Sequence, residues 1–152
     1  NGMGNGEIEL VQETYAPIRK NIRYFNSSRY IDDLANGEIC VALGYNGDVL
    51  QARDRAEEAG TGVEIAYVIP KEGAIRWFDV MAIPADAPNK AEAHAFIDFM
   101  LKPDVIAPVT EFVGYASANA PAKALVSEEL RNDPAVYPPE DVIGKLVDTR
   151  KL

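Results

Sequence analysis

One cysteine and one histidine in 152 residues leave two large classes of chemistry without material. Cys40 has no partner for an internal disulfide, and His94 alone does not make a metal site. Basic charge is also scarce. Fifteen Lys and Arg against 24 Asp and Glu give a formal net charge of -9, and no Lys/Arg run is present to neutralise phosphates, which excludes nucleic acid as a partner. No stretch approaches the roughly 18 to 20 apolar residues of a membrane span. The chain opens on Asn1-Gly-Met-Gly-Asn-Gly6, a loop-like stretch without the charged start and apolar core of a secretory signal, as expected of part of something longer. The nucleophile elbow G-x-S-x-G, the phosphate loop G-x-x-x-x-G-K-[ST], the zinc motif H-E-x-x-H and paired cysteines are all missing. Nothing activates a nucleophile, and no metal or cofactor is called for, so the sequence reads as that of a binding protein rather than an enzyme.

What is present is an ordinary globular composition, 47% hydrophobic and 26% charged, with length for one domain and a core. The pattern is that of a single α/β domain over residues 1–152, with a mixed sheet flanked by helices. Its most telling stretch is Ile75-Arg-Trp-Phe-Asp-Val-Met-Ala-Ile83, which predicts a buried strand with a carboxylate set in its middle. Successive strand side chains point to opposite faces, so Trp77 and Asp79 stand side by side while Phe78 and Val80 point the other way. A carboxylate among such neighbours costs several kcal/mol to desolvate unless a positive group meets it. The group expected there is an ammonium ion.

Along the chain, Glu7 to about Tyr15 predicts a helix ended near Pro17, and Ile22, Tyr24 and Phe25 a short strand. Ser27-Ser28 are expected to cap a helix Arg29–Ala35, with Tyr30, Ile31 and Leu34 on one face and Asn36-Gly37 as its stop. Glu38 to Gly44 reads as a strand covered on both faces, with Cys40 a buried thiol. Tyr45-Asn46-Gly47-Asp48 then leads into a helix from Val49 to Ala59. Ligands of open α/β sheets gather at such strand-to-helix junctions. Aspartate is also favoured in any first helical turn by the dipole, so Asp48 alone carries two readings. Val63, Ile65, Tyr67 and Ile69 alternate as a strand, followed by a turn at 71–74. A helix Lys90–Leu101 carries the stripe Ala93, Phe96, Ile97, Met100 and Leu101, with His94 off it on the surface. Another helix, about Asp104 to Val113, stops at Gly114 and leaves Tyr115 opening a loop. Short helices at Ala124–Arg131 and Glu140–Val147 complete the reading.

Tyr45, Trp77 and Tyr115 with Asp48 and Asp79 make a candidate box for an aliphatic amine. Aromatic faces cover the methylenes, each cation–π contact contributing about 0.5 to 2 kcal/mol, and carboxylates take the ammonium protons through charge-assisted hydrogen bonds.

The motifs Tyr24-Phe-Asn-Ser-Ser28, Tyr30-Ile-Asp-Asp-Leu-Ala-Asn-Gly-Glu-Ile-Cys-Val-Ala42, Gly44-Tyr-Asn-Gly-Asp-Val49, Ile69-Pro-Lys-Glu-Gly-Ala74, Trp77-Phe-Asp79, Ala82-Ile-Pro-Ala-Asp86 and Tyr137-Pro-Pro139 resemble, in this order, the periplasmic polyamine-binding proteins of ABC transporters. The resemblance runs from about Ile22 to Leu146. It implies one lobe of a type II periplasmic-binding-protein fold, whose two lobes close on putrescine or spermidine. It also implies a periplasmic location, a precursor bearing a signal peptide, and permease subunits as partners, with only peripheral contact to a membrane complex. Carried over by motif, the family's ligand-binding positions fall on Tyr45, Asp48, Trp77, Asp79 and Tyr115. Many members have Trp at the place of Tyr45. Members are about twice as long, so this chain corresponds to most of the second lobe, without the first lobe and the hinge.

Two other readings stand beside that of a receptor. An amine-sensing effector-binding domain of a regulator would require an attached DNA-binding segment, and none is seen. A small enzyme using Asp48 and Asp79 as acid and base would require amine turnover.

Overall fold

The structure, a computed structural model, describes residues 4–148. The expectation for Asn1–Met3 lies outside the described residues. Helix α1 (Asn5–Tyr15) begins inside the expected opening loop, because the Glu7 carboxylate accepts the Gly4 N–H at 2.7 Å and anchors the first turn.

Helices α2 (Arg29–Ala35) and α3 (Asn46–Glu58) form the principal pair. The bounds of α2 are those expected, but its cap is not. Neither Ser27 nor Ser28 closes it; Asn26 Oδ1 accepts from Ser28 N–H at 3.0 Å and from Arg29 N–H at 2.8 Å. Helix α3 starts three residues before the expected Val49, which places Asp48 inside its first turn. Val49, Ala52 and Ala56 recur at helical spacing and bury against Tyr30, Leu34 and Ala35. Ile39, Ala42, Val63, Ile65 and Tyr67 pack on this cluster from the segments on either side of α3. A smaller core joins Ala107 of α5 (Pro103–Val113) to Ala122, in a 3-10 turn at Ala120–Ala124, and to Val126. Helix α5 opens with Pro103 in its first turn, runs through Pro108, and ends as expected at Gly114, whose φ of 68° is the left-handed C-terminal cap that glycine adopts freely.

The sheet differs from expectation. In place of a mixed sheet, the described residues hold one two-stranded parallel sheet, β1 (Ile75–Arg76) with β2 (Val147–Asp148), paired Ile75 to Val147 and Arg76 to Asp148. Arg76 clasps Asp148 with two nitrogens, Nε at 2.8 Å and Nη2 at 3.0 Å. Residues 38–44, with bends at Glu38 and Cys40, and residues 63–69 belong to no ladder among the described residues. The alternation along 63–69 does hold, with Val63, Ile65, Tyr67 and Ile69 inward and the residues between them outward. Periodicity sets which face a segment turns inward; a strand also needs ladder hydrogen bonds from a neighbour, and among the described residues neither segment makes them.

The stretch 75–83 is likewise not buried. Only its first two residues pair, and Val80 is 84% exposed, because nothing among the described residues packs over it. Cys40 is exposed rather than buried, since Ile39 and Ala42 are the residues of its run that turn to the core. Helix α4 (Lys90–Met100) closely matches its expected range, with His94 on the surface, yet its apolar stripe is only partly covered: Ala93, Ile97 and Met100 are half-buried while Phe96 and Leu101 are exposed. At the C-terminal end, the helix expected over 124–131 is split between the 3-10 turn and α6 (Glu128–Asn132). The helix expected to reach Val147 stops at Ile143 as α7 (Glu140–Ile143), and β2 takes its last residues.

Candidate functional site

The turn Gly44-Tyr-Asn-Gly-Asp48 is where the helical pair, the segment 38–44 and the loop after α5 meet. Tyr45 is the residue that precedes α3, with extended backbone (φ −78°, ψ 147°), and Asp48 is the third residue of the helix. In an unadorned first turn an aspartate is held by the free N–H groups. Here both carboxylate oxygens are engaged by phenols. Tyr115 donates to Oδ1 at 2.8 Å and Tyr30 donates to Oδ2 at 2.5 Å. The Tyr30 oxygen also accepts the Tyr45 N–H at 3.2 Å, so one hydroxyl joins the helix-start backbone to the carboxylate. Asn46 Nδ2 donates to the Ala135 carbonyl at 3.0 Å and ties the same turn to the segment before Tyr137.

Both glycines of the turn are explained by these tyrosines. A Cβ on Gly44 would strike the Tyr30 ring, with Cζ at 2.8 Å and the hydroxyl at 2.9 Å. A Cβ on Gly47 would strike the Tyr115 ring and lie 2.6 Å from the Val113 carbonyl oxygen. Neither glycine has a positive φ. Each is required for close approach, the backbone serving as a bed for an aromatic ring.

Burial, reinforced by the hydrogen bond to Asp48, pushes the Tyr30 phenol up to about 12. The same two causes, burial first, push Tyr115 higher still. Both hydroxyls therefore remain protonated donors across the neutral range.

The second group of candidates lies on the exposed stretch after β1. Trp77 Nε1 donates to Asp79 Oδ1 at 3.2 Å, the side-by-side placement expected of alternate residues in an extended chain. Trp77 is 58% exposed and Tyr45 is 53% exposed, so both present aromatic faces to solvent. Among the described residues no hydrogen bond or ion pair joins the Trp77–Asp79 pair to the cluster around Asp48. The structure thus brings Tyr45, Asp48 and Tyr115 into one unit and Trp77 with Asp79 into another. Sequence periodicity places Tyr30 only on a buried helical face and misses its part in this cluster. The signal that marks it is a phenol on that face, whose hydroxyl needs a partner, next to a turn with glycines three residues apart. No group of three His, Cys, Asp or Glu side chains arranged to hold a metal ion occurs among the described residues.

A family model described as bacterial extracellular solute-binding protein matches residues 2–138. The chain belongs to this family. Members of the solute-binding family are binding proteins, not enzymes, in agreement with the absence of catalytic motifs. The putrescine-binding periplasmic protein PotF of Escherichia coli (strain K12) is 57% identical over 129 residues, covering 85% of this chain and 35% of the relative. The putrescine-binding periplasmic protein SpuD of Pseudomonas aeruginosa (strain UCBPP-PA14) is 51% identical over 140 residues, covering 92% of this chain and 38% of the relative. A spermidine/putrescine-binding periplasmic protein of Salmonella typhimurium is 39% identical over 139 residues, covering 91% of this chain and 38% of the relative. The chain therefore spans between a third and two fifths of the length of these curated solute-binding relatives.

Proposed function

We propose that this chain supplies one wall of a polyamine-binding cleft in a periplasmic receptor of the type II fold, which takes up putrescine, spermidine or a similar diamine and delivers it to the permease of an ABC transporter. The observation that carries this reading is exposed aromatic faces set near carboxylates: Trp77, hydrogen-bonded to exposed Asp79, and Tyr45, exposed on the turn whose half-buried Asp48 is held by Tyr30 and Tyr115. Such pairs suit an aliphatic ammonium, because rings cover methylenes while carboxylates accept its protons. The 57% identity to a protein named for putrescine binding supports the same class of ligand.

Tyr115 adjoins Asp48 through its hydrogen bond to Oδ1, and the exposed stretch after β1 carries Trp77 and Asp79. In the two-lobed receptor the amine lies between walls, at low effective dielectric. This chain alone leaves one side of the ligand in water and cannot close by hinge motion, so its own binding is expected to be weak.

The only tryptophan provides the test. Putrescine, spermidine and a neutral diol of matched length are titrated against the two-lobed receptor carrying this chain, following the part of the emission that disappears in Trp77→Phe, with Asp79→Asn in parallel. A saturable response to the amines alone, weakened in the variant, is expected. An equal response to the diol, or an amine response unaffected by Asp79→Asn, would refute the reading.

A further inference from the structure

Tyr30 is not one of the positions that the family resemblance assigns to the ligand, yet it holds one that is. Its ring is 5% exposed and sits in the main core cluster on α2, which fixes where its hydroxyl can be. That hydroxyl accepts the Tyr45 N–H, and this contact in turn leaves its own proton to point at Asp48 Oδ2.

We propose that Tyr30 is a positioning residue for amine recognition, its buried hydroxyl setting both the plane of the Asp48 carboxylate and the turn that presents Tyr45. The inference rests on the reading of Tyr45 and Asp48 as part of an amine site and names a further residue of that site. A carboxylate held only by Tyr115 through Oδ1 would remain free to rotate about its Cβ–Cγ bond, a torsion with broad preferences. Tethers on the two different oxygens, one from α2 and one from the loop after α5, remove that freedom. Each oxygen keeps a lone pair for a further donor. The ammonium thus meets an oriented acceptor, not one that must be ordered on binding. The glycine at 44 belongs to the same device, since any side chain there would displace the Tyr30 ring.

The molecule holds an internal control. Tyr24 also donates to a carboxylate, Asp33 Oδ2 at 2.8 Å, but that oxygen is already paired with Arg29 Nε at 3.1 Å, and neither residue adjoins the turn. Tyr24→Phe therefore removes the same kind of bond without touching Asp48.

The test has two arms. In the first, the side-chain carboxyl carbon of Asp48 is followed by NMR at fixed neutral pH in this chain. Tyr30→Phe is expected to shift and broaden that resonance, while Tyr24→Phe leaves it in place. Should Tyr30→Phe fail to fold, Tyr30→3-fluorotyrosine keeps the ring and hydroxyl, strengthens the donor, and is expected to shift the same resonance. An Asp48 resonance insensitive to position 30 overturns the proposal.

In the second arm, putrescine affinity is measured in the two-lobed receptor carrying this chain, for the parent, Tyr30→Phe, Asp48→Asn and the double variant. Tyr30→Phe is expected to weaken binding about tenfold in the parent, as the loss of one hydrogen bond to a charged group implies. In the Asp48→Asn background it is expected to change binding by less than about twofold, because the group through which it acts is gone. Losses that add in full would show a merely structural role and overturn the proposal. If the parent shows no amine binding, the proposed function falls, and the carboxyl resonance alone decides whether Tyr30 positions Asp48.

Discussion

Gly47→Ala tests the packing of the candidate site most severely, because sequence rules and structure predict opposite signs for it. Gly47 is the second residue of α3, and in an open helical position a glycine-to-alanine change stabilises by roughly 0.5 to 1 kcal/mol. Here the added carbon would lie 2.6 Å from Tyr115 Cδ2 and 2.6 Å from the Val113 carbonyl oxygen. A ring can rotate or withdraw; a carbonyl at the end of a helix cannot do so cheaply. Overpacking of this kind costs about 1 to 3 kcal/mol. Withdrawing Tyr115 also breaks its 2.8 Å hydrogen bond to Asp48, which contributes about 1.5 to 3 kcal/mol when the acceptor is charged. Subtracting the helical gain leaves a net loss of roughly 1.5 to 5.5 kcal/mol. For a chain of this length each kcal/mol lowers the melting temperature by about 2 to 4 °C, so the midpoint of thermal unfolding followed by circular dichroism should fall by roughly 3 to 22 °C. Gly6→Ala, in α1 with no atom within 4 Å of where its new methyl group would sit, is the matched control and should hold or raise the midpoint. A Gly47→Ala protein that melts at or above the parent would refute the close-approach account of this turn.

Two further outcomes follow from the same geometry. Because Tyr30 is raised in the folded chain to about 12 and Tyr115 is raised also, their contribution to stability is complete below the ordinary tyrosine value near 10 and is lost as pH rises from there through about 12. Denaturant melts across that range should show a steeper alkaline loss in the parent than in Asp48→Asn, and equal slopes would contradict the phenol–carboxylate coupling. Asn26→Ala removes the acceptor for two N–H groups at the start of α2 and is expected to cost about 1 kcal/mol, read as a lower midpoint in urea, whereas Ser28→Ala, whose side chain caps nothing, should cost less.

Several parts of this arrangement are legible in the sequence. The bounds of α2 are visible because a polar start and Asn36-Gly37 bracket an apolar face. The adjacency of Trp77 and Asp79 follows from period two alone. The gathering of Tyr45, Asp48 and Tyr115 is implied by matching motifs across residues far apart in sequence. What stays hidden has physical causes. Tyr30 carries two kinds of information, an apolar ring that periodicity assigns to the core and a hydroxyl whose target depends on where α3 packs. Residues 63–69 show a strand's alternation, but alternation speaks of faces and not of neighbours, so it does not foretell that no ladder forms among the described residues. Val147–Asp148 is too short to produce a periodic signal, and the helical reading of the preceding residues runs over it.

The two ring-bearing glycines also divide the turn by its tolerance of change. At 44 and 47 a side chain has nowhere to go, while at 45, between them, the side chain faces solvent and only its backbone is held. On the proposed reading of the turn as part of an amine site, position 45 is its one place open to change: a library varied there alone would alter the face offered to the ligand while the carboxylate three residues on keeps its place. Retuning such a receptor for a new cation would begin with that one codon and leave its flanking glycines untouched.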